Sequence, residues 1–406
     1  MQQNILTINA GSSSLKCAVF RTENGRVAST AAFWTAQIDF KPGGRPNITW
    51  QGSGGAKQSQ AISSTDRMEA TKELFELMFA GNSAPLSDAS AFAIVGHRVV
   101  HGGAKYTASA VITDTVIADL RACIELAPLH EPANIEGIEL ALSMFKDIKH
   151  IAVFDTAFHR TIPDSARVYA GPYSWYEKLS IQRFGFHGIS HQYCAAQAGT
   201  IVGQNRAASR IVTCHVGNGA SLTAVKDGKS IMTTMGFTPL DGLVMGTRCG
   251  SIDPGILVHL LEHRHCTIAE LDDLLNHQSG LKGISGSSSD MRDIEKSMAA
   301  GDQRAKLAFD IYVERLAASI ASVIPALGGL DILVFAGGVG ENSVQVRSAT
   351  CSLLGFLGVE IDPEKNVGCK SDGDISAAGA PVATLVIHTK EDFQIATECL
   401  AFMVRA

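Results

Sequence analysis

No stretch of the 406-residue chain approaches the ~18 consecutive apolar residues that span a bilayer, so no membrane-crossing helix is expected. A surplus of positive charge is also missing: 34 Lys and Arg stand against 40 Asp and Glu, a formal net charge of −6. The long-range field therefore does not attract nucleic acid or anionic membrane, and any phosphate must be held by local groups. Met1-Gln2-Gln3-Asn4 runs directly into Ile5-Leu6-Thr7-Ile8 with neither a basic region nor a long apolar stretch, unlike a secretory signal. The nine cysteines, from Cys17 to Cys399, form no C-x-x-C pair and no metal-ligand spacing. That usage points to mostly buried thiols in a reducing, cytoplasmic compartment.

The chain is too long for one ordinary core, and two domains of roughly 150–200 residues are expected. A hydrophobic fraction of 46% beside 18% charged residues is ordinary for a globular protein. Residues 5–8 and 16–20 are short apolar or alternating runs separated by Asn9-Ala10-Gly11-Ser12-Ser13-Ser14, which predicts strand, tight polar loop, strand. The pattern returns in the second half: Ile211-Val212-Thr213-Cys214-His215 leads through Val216-Gly217-Asn218-Gly219-Ala220 into 221–225, with Asp227-Gly228 as the expected hairpin turn. A Ser-Leu pair opens the second strand of each copy, Ser14-Leu15 and Ser221-Leu222, suggesting two related halves. Ser64-Thr65-Asp66 is placed to cap a helix carrying Met68, Leu74, Leu77 and Met78. A longer helix is expected over 302–324, with Leu307, Ile311, Leu316, Ile320 and Val323. Mixed strands and helices predict an α/β architecture, with Gly- and Ser-rich loops at 43–55 and 280–290.

Small side chains let a backbone approach polyphosphate closely, where N–H groups, hydroxyls and a cation serve as donors. Residues 9–16, with Ser12, Ser14 and Lys16, offer all three, although a polar β-hairpin is the plainer reading. Gly337-Gly338-Val339-Gly340-Glu341-Asn342-Ser343 follows the apolar run 332–335 and is expected to open a helix whose N-terminus attracts anions. It is not a dinucleotide fingerprint, because Ser343 stands at the third glycine position. Gly228-Lys229-Ser230 resembles the tail of a P-loop, but Thr223 occupies the place of its first glycine. Ser13-Ser14-Leu15-Lys16 fits the S-x-x-K of penicillin-recognising enzymes, whose SDN and KTG partners the chain lacks.

Phosphoryl transfer asks mainly for in-line positioning and for cationic groups at the transferring oxygens. Arg98, just beyond the apolar run 92–95, and Arg248, in Met245-Gly246-Thr247-Arg248-Cys249-Gly250, carry planar multi-donor groups suited to that task. Each alone also fits a solvated loop residue. Asp155 closes the run 151–154, at the strand end where α/β sheets bind ligands, and equally suits a turn or helix cap. His187, in Arg183-Phe184-Gly185-Phe186-His187-Gly188, is either a donor for a phosphoryl oxygen or a packed histidine. His259-Leu260-Leu261-Glu262-His263 competes with this reading, since H-x-x-E-H on a helix puts two imidazoles on one face, as in inverted zinc peptidases. No downstream segment stands out as a third ligand, and a helix with surface histidines is the simpler alternative.

Taken together and in order, these motifs resemble the acetate kinase family, within the larger group of sugar kinases, actin and chaperone ATPases, over nearly the whole chain. The resemblance rests on the 9–16 loop, Gly96-His97-Arg98-Val99-Val100-His101-Gly102-Gly103, Ala127-Pro128-Leu129-His130 and the 183–188 segment. It continues through His215-Val216-Gly217-Asn218-Gly219, Gly246-Thr247-Arg248, Ser289-Asp290-Met291-Arg292, the 338–342 loop and Thr389-Lys390-Glu391. It implies a two-lobed actin-like ATPase fold with a duplicated mixed-sheet core flanked by helices and an interdomain cleft that closes on ligands. The implied lobes are 1–156 plus 393–406, and a nucleotide-binding lobe 157–392. The implied reaction is reversible in-line transfer between ATP and acetate, giving ADP and acetyl phosphate. It needs Mg²⁺, with Mn²⁺ as a substitute, and is carried out by a homodimer with no nucleic-acid or membrane partner.

By position, the resemblance gives Arg98 and Arg248 the carboxylate and the transferring phosphoryl group, and His187 a bond to that group in the transition state. Asn9 and Glu391 would organise the metal, Asp155 would lie close to it and to the nucleotide phosphates, and His130 would be a supporting donor. The nucleotide would run along Ser12, Ser14, Lys16, His215, Asn218 and Gly219, with its adenosine end by Asp290, Met291, Arg292, Gly338, Gly340 and Asn342. The methyl group would contact Val100, Leu129, Phe186 and Pro239. Propionate and other short-chain carboxylate kinases share most of these motifs. Val100 replaces the alanine typical of propionate kinases and implies a smaller pocket, worth about 1–3 kcal/mol for one methylene. Among the departures from the family pattern, Ser251 stands in place of Asp and Lys390 and Asp392 flank Glu391. Glu131 stands where Asn is usual and adds negative charge near the carboxylate region.

Overall fold

The computed structural model describes residues 2–11, 13–40, 46–62, 64–79, 86–128, 130–203 and 209–403. Two of the expected site residues, Ser12 and Leu129, lie outside the described residues. The chain divides into two compact units, Met1–Ala157 with Lys390–Ala406, and Phe158–Thr389.

In the first unit the polar loop folds Gln3–Ala10 back against Ser14–Glu23 as an antiparallel pair, with Asn9 opposite Lys16. Gln3–Ala10 then pairs in parallel with Phe92–Val99, which pairs in parallel with Lys149–Phe154. The second unit repeats the arrangement. Arg210–Val216 is antiparallel to Ala220–Lys226 and parallel to Ile332–Ala336, itself parallel to Ala383–Val386. The duplication suggested by the two Ser-Leu pairs is therefore one topology built twice, a hairpin continued by two parallel strands. Asp227 and Gly228 close a further hairpin, between Ala220–Lys226 and Lys229–Thr233, with positive φ at both positions, 50° and 76°, as a tight twisted turn demands.

Strands buried on both faces need helices above and below them. Ile332–Ala336 is buried throughout, and the helix Gln303–Leu327 contributes Ala308, Tyr312, Leu316, Ile320 and Val323 to the core of its unit. Asp302 caps that helix, as Asp66 caps Arg67–Leu77. Leu307, expected on the apolar face, is 52% exposed. In the first unit the C-terminal helix Glu391–Met403 lies directly on Phe92–Val99: a Cβ on Gly96 would sit 2.6 Å from Cys399 Sγ and 2.7 Å from Ile395 Cγ2.

The expectation of a loop over 43–55 needs correction, because Asn47–Gly52 is a strand between Trp34–Asp39 and Gln58–Ala61. Within 280–290, Gly280–Ser285 is a short helix rather than loop. Among the described residues no helix is long and apolar enough to cross a membrane. All nine cysteines are free thiols, six of them buried.

Candidate active site

Arg98 and Asp155 stand at the carboxyl ends of neighbouring parallel strands, and the register brings them together. Arg98 Nη2 lies 2.6 Å from Asp155 Oδ2, and Nε lies 3.3 Å from Oδ1. The third nitrogen, Nη1, donates to Asn9 Oδ1 at 3.2 Å, and Asn9 Nδ2 donates to Glu391 Oε2 at 3.5 Å. Four of the expected site residues thus form one cluster within the first unit. Burial opposes the charge of Arg98, but Asp155, joined by Glu391 and Asp392, outweighs it and raises the guanidinium pKa. Burial raises the Asp155 carboxyl above its ordinary range, with Glu391 adding to it, against the opposing pull of the two-pronged contact with Arg98. Asp392 is pushed up to about 6 by burial and by the charge of Glu391, and its Oδ1 has no hydrogen-bond partner among the described residues.

Val100 follows this cluster and is buried. Its N–H donates to Asn134 Oδ1 at 2.9 Å, and the Asn134 amide donates in turn to the Ala10 carbonyl. The helix Glu131–Met144, which His130 precedes, therefore ties the segment after Arg98 to the end of Gln3–Ala10. That loop is closed by the Gly11 N–H donating to the Ser14 carbonyl at 2.8 Å, while Lys16 is exposed.

A second cluster belongs to the other unit. His187 adopts left-handed backbone, φ 55°, at the start of the helix Gly188–Val202. Such a conformation in a non-glycine residue costs about 1 kcal/mol or more and persists only where the surroundings enforce it. The ring is held by Ser221, whose Oγ lies 2.9 Å from Nδ1, and by stacking on His215 at 4.3 Å between centroids. His215 Nδ1 is in turn 2.7 Å from Ser190 Oγ. A methyl group placed on Gly219 would stand 3.6 Å from His187 Nε2 and 3.8 Å from Arg248 Nη1, so histidine and arginine border the same space. Arg248 Nη1 donates to the Pro239 carbonyl at 3.0 Å and lies 3.6 Å from Met245 Sδ. Burial lowers its pKa, and no carboxylate among the described residues lies near enough to counter that. The group remains a cation. A largely buried cation without a counter-ion is expensive unless an anionic ligand completes it. Phe186, buried before His187, accepts a hydrogen bond from His159 Nε2 at its carbonyl, 3.0 Å away.

A cavity of about 550 Å³ in the same unit is lined by Asn218, Asp290, Met291, Arg292, Gly338 and Asn342, six of the residues expected at the nucleotide. That volume suits a drug-sized or nucleotide-sized ligand. Asp290 caps the helix Met291–Ala299, accepting from the Arg292 N–H at 2.9 Å and pairing with its guanidinium at 2.5 Å. The opposite wall depends on Gly337, φ 75°, where a Cβ would meet the Val216 carbonyl oxygen at 2.9 Å. Glu341 ties this turn down by accepting from the N–H groups of Gly337, 2.9 Å, and Thr389, 3.0 Å. Gly217, Leu281, Ser289, Glu295, Val339 and Ser343 complete the lining; Gly217, Ser289, Val339 and Ser343 lie within the sequence motifs above without an expected site role. Leu281 and Glu295 carry no local signal. Gly340 does not line the cavity: it packs on Val216, and its carbonyl accepts from Arg347 Nη1 at 2.8 Å. The expected anion-attracting helix after Gly337 is only the six-residue Gly337–Asn342, so the loop's contribution is close backbone approach rather than a long helix dipole.

His259, Glu262 and His263 are exposed on the helix Pro254–His263, with the two rings 5.0 Å apart. Among the described residues no group of three or more His, Cys, Asp or Glu is placed to hold a metal ion. The zinc-peptidase alternative therefore has no third ligand to draw on, and the motif is a surface-histidine helix.

Comparison with known proteins agrees with this geometry. A model of the acetokinase family matches residues 4–397. An acetate kinase of Nostoc punctiforme is 46% identical over 398 residues, covering 97% of this chain and 98% of the relative. An acetate kinase of Gloeobacter violaceus is 47% identical with the same coverage. Among solved structures, Porphyromonas gingivalis acetate kinase has a TM-score of 0.89 at 35% identity, covering 99% of this chain and all of that one. A propionate kinase from Francisella tularensis has a TM-score of 0.88 at 38% identity, covering 98% of each chain. Matched end to end by relatives and by the family model alike, the chain belongs to the acetokinase family.

Proposed function

We propose that the chain transfers a phosphoryl group reversibly between ATP and acetate, forming ADP and acetyl phosphate by direct in-line displacement. One observation carries this reading: Arg248 is a mostly buried guanidinium with no carboxylate partner among the described residues, beside His187 and next to a nucleotide-sized cavity. A carboxylate oxygen of acetate attacks the γ-phosphorus, the bond from that phosphorus to the β,γ-bridging oxygen breaks, and ADP leaves with the electron pair. Negative charge spreads over the three equatorial oxygens, where Arg248 and His187 donate hydrogen bonds. Arg98 takes the carboxylate, and its two-pronged contact with Asp155 fixes the guanidinium plane before substrate arrives. His130 supports the same side, and Val100, Phe186 and Pro239 are assigned to the methyl group.

Asn9 and Glu391 offer hard oxygen donors, and Asp392, whose Oδ1 has no hydrogen-bond partner among the described residues, follows Glu391 in sequence. That donor set suits Mg²⁺, which takes one or two carboxylates together with phosphate oxygens and water. When bound, the ion would neutralise charge on the transferring phosphates. A homodimer is part of the same reading, supported by Ile256, Val258 and Leu261 exposed on one helix, and light scattering measures it. The likeness to a propionate kinase favours one second reading, propionate as the acceptor. Incubating the protein with ATP, Mg²⁺ and acetate, propionate or butyrate, and trapping acyl phosphate as the hydroxamate, decides between them. Acetate is expected to give the highest kcat/KM. A propionate preference would change the acceptor, and no acyl phosphate from any carboxylate would end the proposal.

A further inference from the structure

Behind His187 runs a line of hydrogen bonds that its role as a donor does not by itself require. His187 Nδ1 is 2.9 Å from Ser221 Oγ, and the same oxygen is 2.8 Å from His191 Nε2. His191 Nδ1 is 2.7 Å from Thr213 Oγ1, and that hydroxyl reaches the Thr223 carbonyl at 3.4 Å. His191, Ser221, Thr213 and Thr223 are completely buried.

A hydroxyl has one proton to give, and a neutral imidazole has one N–H and one lone pair, so each member constrains the next. Two arrangements run in a single direction along the whole line; a third, in which Ser221 accepts from both rings and Thr213 donates to His191 Nδ1, gives up the bond to the Thr223 carbonyl. In the first, Thr213 donates to the Thr223 carbonyl, His191 Nδ1–H to Thr213, Ser221 to His191 Nε2, and His187 Nδ1–H to Ser221. In the second all are reversed, and the bond to the Thr223 carbonyl is lost. The first direction makes four hydrogen bonds against three. It tolerates a protonated His187, whose Nδ1 must then donate, whereas the reversed direction does not. Burial, with His159 and His215 nearby, holds His191 well below the ordinary imidazole range, so this ring stays neutral and passes the constraint along.

We propose that Thr213, His191 and Ser221 fix Nδ1 of His187 as a donor, so that His187 can give a hydrogen bond from Nε2 to the transferring phosphoryl group only as an imidazolium. Neutral His187 in this relay presents a lone pair at Nε2, which would repel a phosphoryl oxygen. The groups facing it are His215, stacked on the ring from Arg210–Val216, His191 one helical turn on, Ser221 from Ala220–Lys226, and Arg248 across Gly219. Arg248 opposes a second cation, and bound phosphate favours one. Proton uptake from solvent at Nε2 is thereby linked to the arrival of the nucleotide. Thr213, His191 and Ser221 are positioning residues: they act through His187.

The inference rests on the phosphotransfer reading, and two measurements separate the failure of one from that of the other. The first is nitrogen NMR of the free wild-type protein, labelled with ¹⁵N-histidine, at pH 8, with the His187 signals identified by their absence in His187→Gln. A protonated-type shift at Nδ1 and an unprotonated-type shift at Nε2 are expected. The opposite pattern overturns the relay whatever the enzyme's activity, and this holds even where a variant fails to fold. The second is the pH profile of kcat for acetyl phosphate formation. The wild type and Ser221→Thr are expected to lose rate on the alkaline side as His187 deprotonates. In Ser221→Ala a neutral ring is free to carry its proton on Nε2, so the alkaline limb moves up by about one pH unit or more while kcat at the optimum falls. An unchanged alkaline limb in Ser221→Ala overturns the proposal, because loss of a merely structural hydroxyl lowers kcat equally at every pH.

Discussion

Arg98 and Asp155 meet in a two-pronged ion pair at the ends of adjacent parallel strands, Nη2 to Oδ2 at 2.6 Å, with the carboxylate almost fully enclosed. Removing one member of such a pair leaves the other charge buried and uncompensated, which typically costs about 3–5 kcal/mol. Asp155→Ala is therefore expected to lower the urea midpoint of the first unit strongly as well as to abolish turnover. A wild-type midpoint would mean that Arg98 is already solvated and that the pair does not organise the site.

The other arginine is expected to behave in the opposite way. Arg248 has no carboxylate to leave behind, and burial already works against its charge. Arg248→Ala should change stability by no more than about 1 kcal/mol, or raise it, while kcat/KM falls by about 10²–10³ through loss of a transition-state donor. Calorimetry beside the hydroxamate assay checks both signs, and a strongly destabilised variant would contradict the ligand-anion role.

Glu131 is fully buried at the first position of its helix. Burial pushes it up to about 8; a hydrogen bond from the His101 backbone opposes this, and the charge of Asp155 adds to it. The folded protein thus holds a proton that the unfolded chain releases near pH 4.5. The stabilisation this gives is complete below 4.5 and is lost progressively as pH rises through 8. Glu131→Gln keeps the shape and removes the ionisation. Unfolding free energies at pH 5 and pH 8 should show a gain of about 3 kcal/mol appearing only at the higher pH. A gain independent of pH would assign the effect to something other than this proton.

Two buried histidines of the first unit act with the reverse sign. His97 Nε2 lies 2.8 Å from His150 Nδ1, and His150 Nε2 donates to the Phe145 carbonyl at 3.2 Å. Burial lowers both pKa values, His97 well below 6.5 with His150 adding to the effect. Both stay neutral in the fold while the unfolded chain takes up protons below 6.5, so stability is present above that pH and lost as pH falls. Each ring contributes up to about 1.4 kcal/mol per pH unit. The urea midpoint should drop steeply between pH 6.5 and 5, and His97→Gln should flatten the slope. An unchanged slope would place the acid sensitivity elsewhere.

What the sequence disclosed was local. The hairpins around Asn9 and Asn218, the caps at Asp66 and Asp302, the Asp227-Gly228 turn and the cavity wall from Asp290 to Arg292 each follow from a few adjacent residues. What stayed hidden depends on pairing between distant segments. Asn47–Gly52 reads as a polar glycine-flanked loop until Trp34–Asp39 and Gln58–Ala61 supply partners on both sides. The relay behind His187 requires Thr213 and Ser221 to point the same way from antiparallel neighbours, a consequence of register that no short motif encodes. Glu131 was noticeable as an unusual residue, but its complete burial was not, since helix N-termini more often present carboxylates to water. Gly340 reads as a nucleotide contact in the sequence because glycine-rich loops look alike whether the missing side chain makes room for a ligand or for Val216.

Gly246 shows how a glycine can serve the ligand through a neighbour. Its N–H donates to the Asn218 carbonyl at 2.9 Å, and a Cβ there would lie 2.1 Å from Asn218 Oδ1 and 3.0 Å from the Ser289 carbonyl oxygen. Asn218 and Ser289 both line the nucleotide cavity, and Asn218 is exposed, so its side chain is free to swing aside. Gly246→Ala should therefore fold with only a modest loss of stability, since rotating one surface side chain relieves the shortest clash and the Ser289 carbonyl has to move by a few tenths of an ångström. The displaced amide then occupies space that the nucleotide needs. KM for ATP is expected to rise roughly tenfold, equivalent to about 1.4 kcal/mol, while KM for acetate, which this residue does not meet, stays constant. Direct titration with ADP separates binding from turnover. If ADP affinity and KM for ATP both match the wild type, Asn218 is not a nucleotide contact, and the assignment of the cavity has to move away from that wall.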